Sequence, residues 1–132
     1  MTSRVTYLGE LRTECEHLQS SNKMITDAPL DNQGKAEAFS PTDTVATALA
    51  SCMFTIMGIK ARDMSLDLRD SYAEVTKTMA SNPRRISKIG IHFYLPSGLE
   101  EKKKTILENA AKTCPVMYSI HPDIEKEIKF IY

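Results

Sequence analysis

The sequence predicts an α+β domain built from strands, one long buried helix, more strands, surface helices and a closing strand. Three observations lead there. Apolar and polar residues alternate between Arg4 and Leu18 and again from Tyr72 to Leu95, the signature of half-buried strands. The run from Val45 to Ile59 carries no charge and follows a helix start signal. A third segment, LEEKKKTILENAAKT, repeats its apolar residues at helical spacing. At 132 residues, with 42% hydrophobic and 26% charged, the chain suits one globular domain with one core, residues 1–132.

Taken in order, Val5 to Leu8 and Leu11 to Leu18 read as a hairpin around Gly9 and Glu10, and Lys23 to Thr26 as a short third strand. DAPLDNQGKAEAFSP, rich in Asp, Asn, Gly and Pro, is then an ordered loop. Ser40 can cap a helix, Pro41 suits its first position, and Asp43 lies near the positive end of its dipole, so a helix should run from Pro41 to about Arg62. Its nearly all-round apolar surface predicts enclosure by other elements. Ser65 to Arg69, Tyr72 to Met79 and Ile86 to Leu95 are the next strand candidates, with SNPRR turning between the last two. From Gly98 onward an amphipathic helix places Leu99, Ile106, Leu107, Ala110 and Ala111 on one face. A short helix at CPVMYSI and a closing strand in IEKEIKFIY complete the order. A helix so apolar in so small a domain leaves one face wet unless a second copy covers it, which predicts a homodimer.

Seventeen basic residues balance seventeen acidic ones, so no global field recruits nucleic acid or an anionic membrane surface. Val45 to Ile59 falls short of the roughly 20 residues of a membrane span. The N-terminal segment MTSRVTYLGELRTE does not read as a signal peptide, and three widely spaced cysteines do not make a disulfide framework, so a reducing cytoplasmic setting is expected. His17, His92 and His121 lack the paired spacing of metal ligands, which predicts no metal centre. No phosphate-cradling glycine loop or Gly-x-Ser-x-Gly turn occurs, so nucleotide binding and serine hydrolysis drop out.

Chemistry is left to the cysteines. Cys52 lies in ALASCMFTIMG, where it reads first as a small hydrophobe of the core; three turns into the helix it is too deep for the dipole to act on it, so its use as a nucleophile would need a cation from another element. Cys114, followed by Pro115, is expected to cap the short helix with its sulfur near the surface, a setting that favours the thiolate and disulfide exchange; an inert cap is the other reading. Cys15, between Glu14 and Glu16 in a predicted strand, is assigned no role. Arg12, just after the first turn, is the cation that a folded-over hairpin could aim at a thiol; an ordinary solvated arginine is the other reading.

SPTDTVATALASCMFTIMG, and CPV with Tyr118, Ser119 and Ile120 further on, together resemble the OsmC/Ohr family of thiol proteins. The resemblance implies an OsmC-like fold, in which antiparallel sheets from two subunits wrap long central helices in an intertwined homodimer. It implies that Cys52 attacks an organic hydroperoxide and becomes a sulfenic acid, and that Cys114 resolves it to a disulfide. An external dithiol such as a lipoylated protein then reduces the pair, with no bound cofactor. Family peroxidases also carry an activating arginine, a role that falls to Arg12, and a glutamate where this chain has Thr42. Asp43, one residue along, is turned by about 100° on a helix and is expected to serve as a cap. The alternative the departure leaves open is a non-enzymatic dimer that binds a small apolar ligand or acts in stress response, with unactivated cysteines.

Overall fold

The computed structural model describes all residues from Met1 to Tyr132. They divide into two compact units, Met1–Val45 and Ala46–Tyr132.

The first unit is a three-stranded antiparallel sheet, β1 (Ser3–Gly9), β2 (Arg12–His17) and β3 (Lys23–Asp27), in sequence order. Gly9, Glu10 and Leu11 all take positive φ, so the predicted break is a tight left-handed turn that reverses the chain over two residues. Register places Arg12 opposite Asp27 on β3. Beyond β3 the loop folds back on itself, with Ala36 N–H donating to Ala28 O and Gly34 N–H to Pro29 O. A Cβ at Gly34 would stand 1.6 Å from Ala28 O, so only glycine allows this approach. The sheet buries little apolar surface: Val5, Tyr7, Leu8 and Leu11 are all exposed.

Helix α1 (Pro41–Asp63) begins in the first unit and continues into the second. Ser40 Oγ accepts the Asp43 N–H at 3.1 Å, and Asp43 Oδ2 accepts the Ser40 N–H at 2.9 Å, a reciprocal capping box with Pro41 at the first helical position. Ala46, Leu49, Ala50, Met53, Met57 and Ala61 form one buried stripe. Val45, Thr47, Ser51, Thr55 and Ile59 are exposed, so within one chain the predicted enclosure covers one face only. At 23 residues α1 is long and apolar enough to cross a membrane on length and composition, but its stripe forms part of a protein core.

The helix ends where Ser65 turns left-handed, with Leu66 N–H reaching back to Ala61 O and Ser65 N–H to Arg62 O. That closure corrects the predicted strand at Ser65 to Arg69. Asp67 adds a side-chain turn by accepting the Arg69 N–H, and Asp70 again takes positive φ, so the segment cannot extend.

The second unit's sheet pairs β4 (Tyr72–Ala80) antiparallel with β5 (Arg85–Tyr94), and β5 parallel with β6 (Glu125–Ile131). The parallel pair departs from the all-antiparallel expectation for a physical reason. The chain leaves β5, crosses through α2 (Glu101–Ala111) and α3 (Pro115–Ser119), and re-enters in the same direction, as a helical crossover requires. Ile89, Ile91 and Phe93 of β5 and Leu107 and Ala111 of α2 complete the core. Phe93 packs edge-on against Phe54 and stacks on Phe130, with centroids 4.8 and 5.3 Å away.

Candidate active site

Cys52 stands at the border of the α1 stripe, beside buried Met53 and between exposed Ser51 and Thr55, which leaves it half-buried and packed against the core. Cys114 lies where α2 has ended and α3 begins. Its extended backbone (φ −68°, ψ 143°) precedes Pro115, and its Sγ accepts the Met117 N–H at 3.3 Å, so it caps α3 as the sequence predicts.

Its surroundings differ from the expectation. Cys114 is fully buried in the core cluster instead of lying near the surface. Burial pushes its thiol up from the ordinary range; the Met117 N–H opposes that and the neighbouring Cys52 adds to it. The N–H groups of Met117 and, more weakly, Val116 at this helix start do not outweigh the loss of water, because α3 has five residues and a correspondingly short dipole. Cys52 packs against the core cluster that contains Cys114, and both are free thiols.

Arg12 belongs to the first unit, where two carboxylates hold it. Its Nη2 donates to Glu37 and lies 3.4 Å from Asp27 Oδ2, the latter on a carboxylate that is 1% exposed. These contacts, Glu37 first, raise the guanidinium's pKa further. Asp27 is held below the usual carboxylate range, chiefly by the Glu37 N–H that donates to Oδ2 at 3.0 Å and then by the charge of Arg12. Thr42 puts its hydroxyl 3.1 Å from Ser40 Oγ, and Asp43 is engaged in the cap, as expected.

The structure thus places Cys52 and Cys114 at one core cluster of the second unit and Arg12 in the first with Asp27 and Glu37. Those two carboxylates escaped the sequence reading. Asp27 was within reach of it, since a turn between Leu18 and Asn22 sets the register that puts position 27 opposite Arg12. Glu37 comes from an irregular loop whose path no periodicity reveals. No cluster of His, Cys, Asp and Glu could hold a metal ion. Two thiols that share one apolar cluster can store two electrons as a disulfide if their sulfurs meet.

The OsmC-like protein family model matches residues 34–129. No curated protein matches the chain. Among solved structures, a Psychrobacter arcticus protein with the provisional name osmotic stress induced and detoxification response protein is 58% identical, with a TM-score of 0.95 over 98% of this chain and 95% of that one. An organic hydroperoxide resistance protein OsmC from Legionella pneumophila, 17% identical, has a TM-score of 0.77 over 100% and 98% of the two chains. An organic hydroperoxide resistance protein from Elizabethkingia anophelis, 12% identical, gives 0.76 over 99% and 96%. At those identities the last two show a shared fold.

Proposed function

The chain belongs to the OsmC-like protein family, and on that premise we propose that it is a cysteine-based peroxidase for organic hydroperoxides. The observation that carries the reading is that Cys52 packs against the same core cluster in which Cys114 is buried. Cys52 thiolate attacks the outer peroxide oxygen, the alcohol leaves with a proton, and Cys52 becomes a sulfenic acid. Cys114 then attacks that sulfur, water leaves, and the Cys52–Cys114 disulfide forms. A dithiol, such as that of a lipoylated protein, returns both electrons by exchange and restores the two thiols. No bound cofactor is needed.

The apolar surroundings support organic over inorganic peroxide, since an alkyl group gains from contacts that a hydroperoxide proton cannot make. The hydroperoxide-resistance names of the fold neighbours point the same way. Arg12, which Asp27 and Glu37 hold in the first unit, stays the candidate for the thiolate-stabilising role that the family resemblance implies. The exposed Val45 and Ile59 of α1 and the exposed Val5, Tyr7 and Leu8 of β1 support a homodimer in which a second copy covers them. Three free cysteines support a reducing cytoplasm.

Thr42 also favours a second reading, a dimer that binds a small apolar ligand through the same cluster without turnover. Consumption of cumene hydroperoxide with a dithiol reductant separates them. The peroxidase reading expects turnover that Cys52→Ser abolishes; consumption at the same rate in the variant, or none in the wild type, overturns it.

A further inference from the structure

The loop between β3 and α1 is closed on itself, and no residue from 28 to 39 is buried. Gly34 N–H donates to Pro29 O at 3.0 Å and Ala36 N–H to Ala28 O at 3.2 Å, with Gly34 too near Ala28 to admit a side chain. At the neck of the loop the Asp27 N–H donates to Phe39 O at 3.0 Å, beside buried Ser40 and the capped start of α1. The contacts with the β1–β2 hairpin are of another kind. Lys35 Nζ lies 3.6 Å from Glu10 Oε2, and Glu37 accepts from Arg12 Nη2, so two ion pairs meet the hairpin on either side of Leu11. Glu10, Lys35 and Glu37 are all exposed. Glu37 also donates its N–H to Asp27 Oδ2 at 3.0 Å, and Asp27 is buried. Arg12 is thus held by a fixed carboxylate on one side and by a loop carboxylate on the other. Exposed ion pairs are weak and are screened beyond about 10 Å at about 0.1 M salt, whereas the backbone bonds inside the loop and at its neck respond far less to salt.

We propose that residues 28–37 form a strap that lifts from the hairpin as one piece, pivoting at its neck, with Glu37 as the latch. Closed, the strap occupies one side of Arg12. Open, it leaves Arg12 on Asp27 alone, with guanidinium donors available to another anion. The strap is a device of the first unit and stands whether or not the thiols turn over hydroperoxide.

The test is amide hydrogen exchange of the protein, resolved by residue with NMR, at increasing NaCl. Lifting as one piece frees the Glu37 N–H from Asp27 and keeps the Gly34 and Ala36 N–H groups bonded within the strap. The Glu37 amide should exchange about fivefold faster at about 1 M than at about 0.05 M NaCl, the factor that one exposed ion pair carries, while Gly34 and Ala36 stay within about twofold. An unchanged Glu37 rate, or equal acceleration of all three amides, overturns the proposal. A second measurement reads the arginine itself. Modification of Arg12 by phenylglyoxal, mapped by mass spectrometry at low salt and normalised to exposed Arg4, should be about fivefold faster in Glu37→Gln than in wild type. Lys35→Gln leaves the contacts of Arg12 in place and should still speed the reaction by about twofold, because it loosens the same strap. Equal Arg12 rates in wild type and Glu37→Gln overturn the proposal. Acceleration by Glu37→Gln without any by Lys35→Gln overturns it as well, since the effect would then be local to one ion pair.

Discussion

Two helix starts in this molecule use the same device to different ends. At α1, Ser40 precedes Pro41 and accepts the N–H of Asp43; at α3, Cys114 precedes Pro115 and accepts the N–H of Met117. At α1 the bond is returned, because Asp43 Oδ2 accepts the Ser40 N–H and both side chains are engaged in holding the start of the helix. At α3 the third residue is a methionine with no such acceptor to return it, so the cap remains open. Sulfur keeps a proton and lone pairs, and Cys52 packs against the cluster that encloses it. A closed cap gives stability, whereas an open cap built on cysteine gives a positioned thiol.

The largest effect that could break this contrast is on chemistry. Cys52→Ser should lower hydroperoxide turnover on the order of a thousandfold or more, as loss of a nucleophile does, with an unchanged circular dichroism spectrum. Next comes the pair of substitutions at the open cap. Cys114→Ser should keep the fold and the cap but stop recycling, so that repeated peroxide additions carry Cys52 to the sulfinic acid, detected as mass gain. Cys114→Ala should do the same and also lower stability by about 1 kcal/mol in urea melts, through the lost cap and the emptied volume.

At the closed cap the expectation is reversed. Ser40→Ala should cost about 1 kcal/mol of stability and leave the rate of Cys52 oxidation unchanged. A change in oxidation rate there would blur the distinction between the two caps. The smallest effect involves neither cap. Glu127 is held at about 2 by hydrogen bonds from Lys88 first and Lys129 second, well below its unfolded value of 4.5. A depressed carboxylate contributes stability that is complete above the unfolded value and is lost as pH falls from there through about 2. Glu127→Gln should therefore flatten the acid limb of stability against pH in that window, measured by thermal melts, and leave thiol chemistry unaffected.

Much of the molecule was legible because local rules and tertiary structure agree. Ser40, Pro41 and Asp43 form the box their spacing announces, Cys114 and Pro115 start α3, and the alternation through Ile89, Ile91 and Phe93 is the buried face of β5. Three features were not legible, each for a physical reason. Leu66 and Leu68 give the Ser65 to Arg69 segment a strand-like alternation, yet the left-handed residues Ser65 and Asp70 at its ends and the Asp67 turn prevent extension. The parallel direction of β6 depends on a crossover through two helices, which strand periodicity does not record. Burial of Cys114 depends on Leu107, Ala111 and the α1 stripe closing over it, a packing outcome that helix-start rules ignore. The candidate site was half legible in the same way: its cysteines stand in local motifs, whereas Asp27 and Glu37 reach Arg12 through register and an irregular loop.

The central claim is that Cys52 and Cys114 are one redox unit. It is tested most directly by adding one equivalent of cumene hydroperoxide to the fully reduced protein and mapping disulfides by mass spectrometry after trapping free thiols. The expected product is a single intramolecular Cys52–Cys114 bond, with Cys15 recovered as free thiol. Recovery of Cys52 and Cys114 as free thiols, or a bond that joins Cys52 to Cys15 or to another chain, would contradict it.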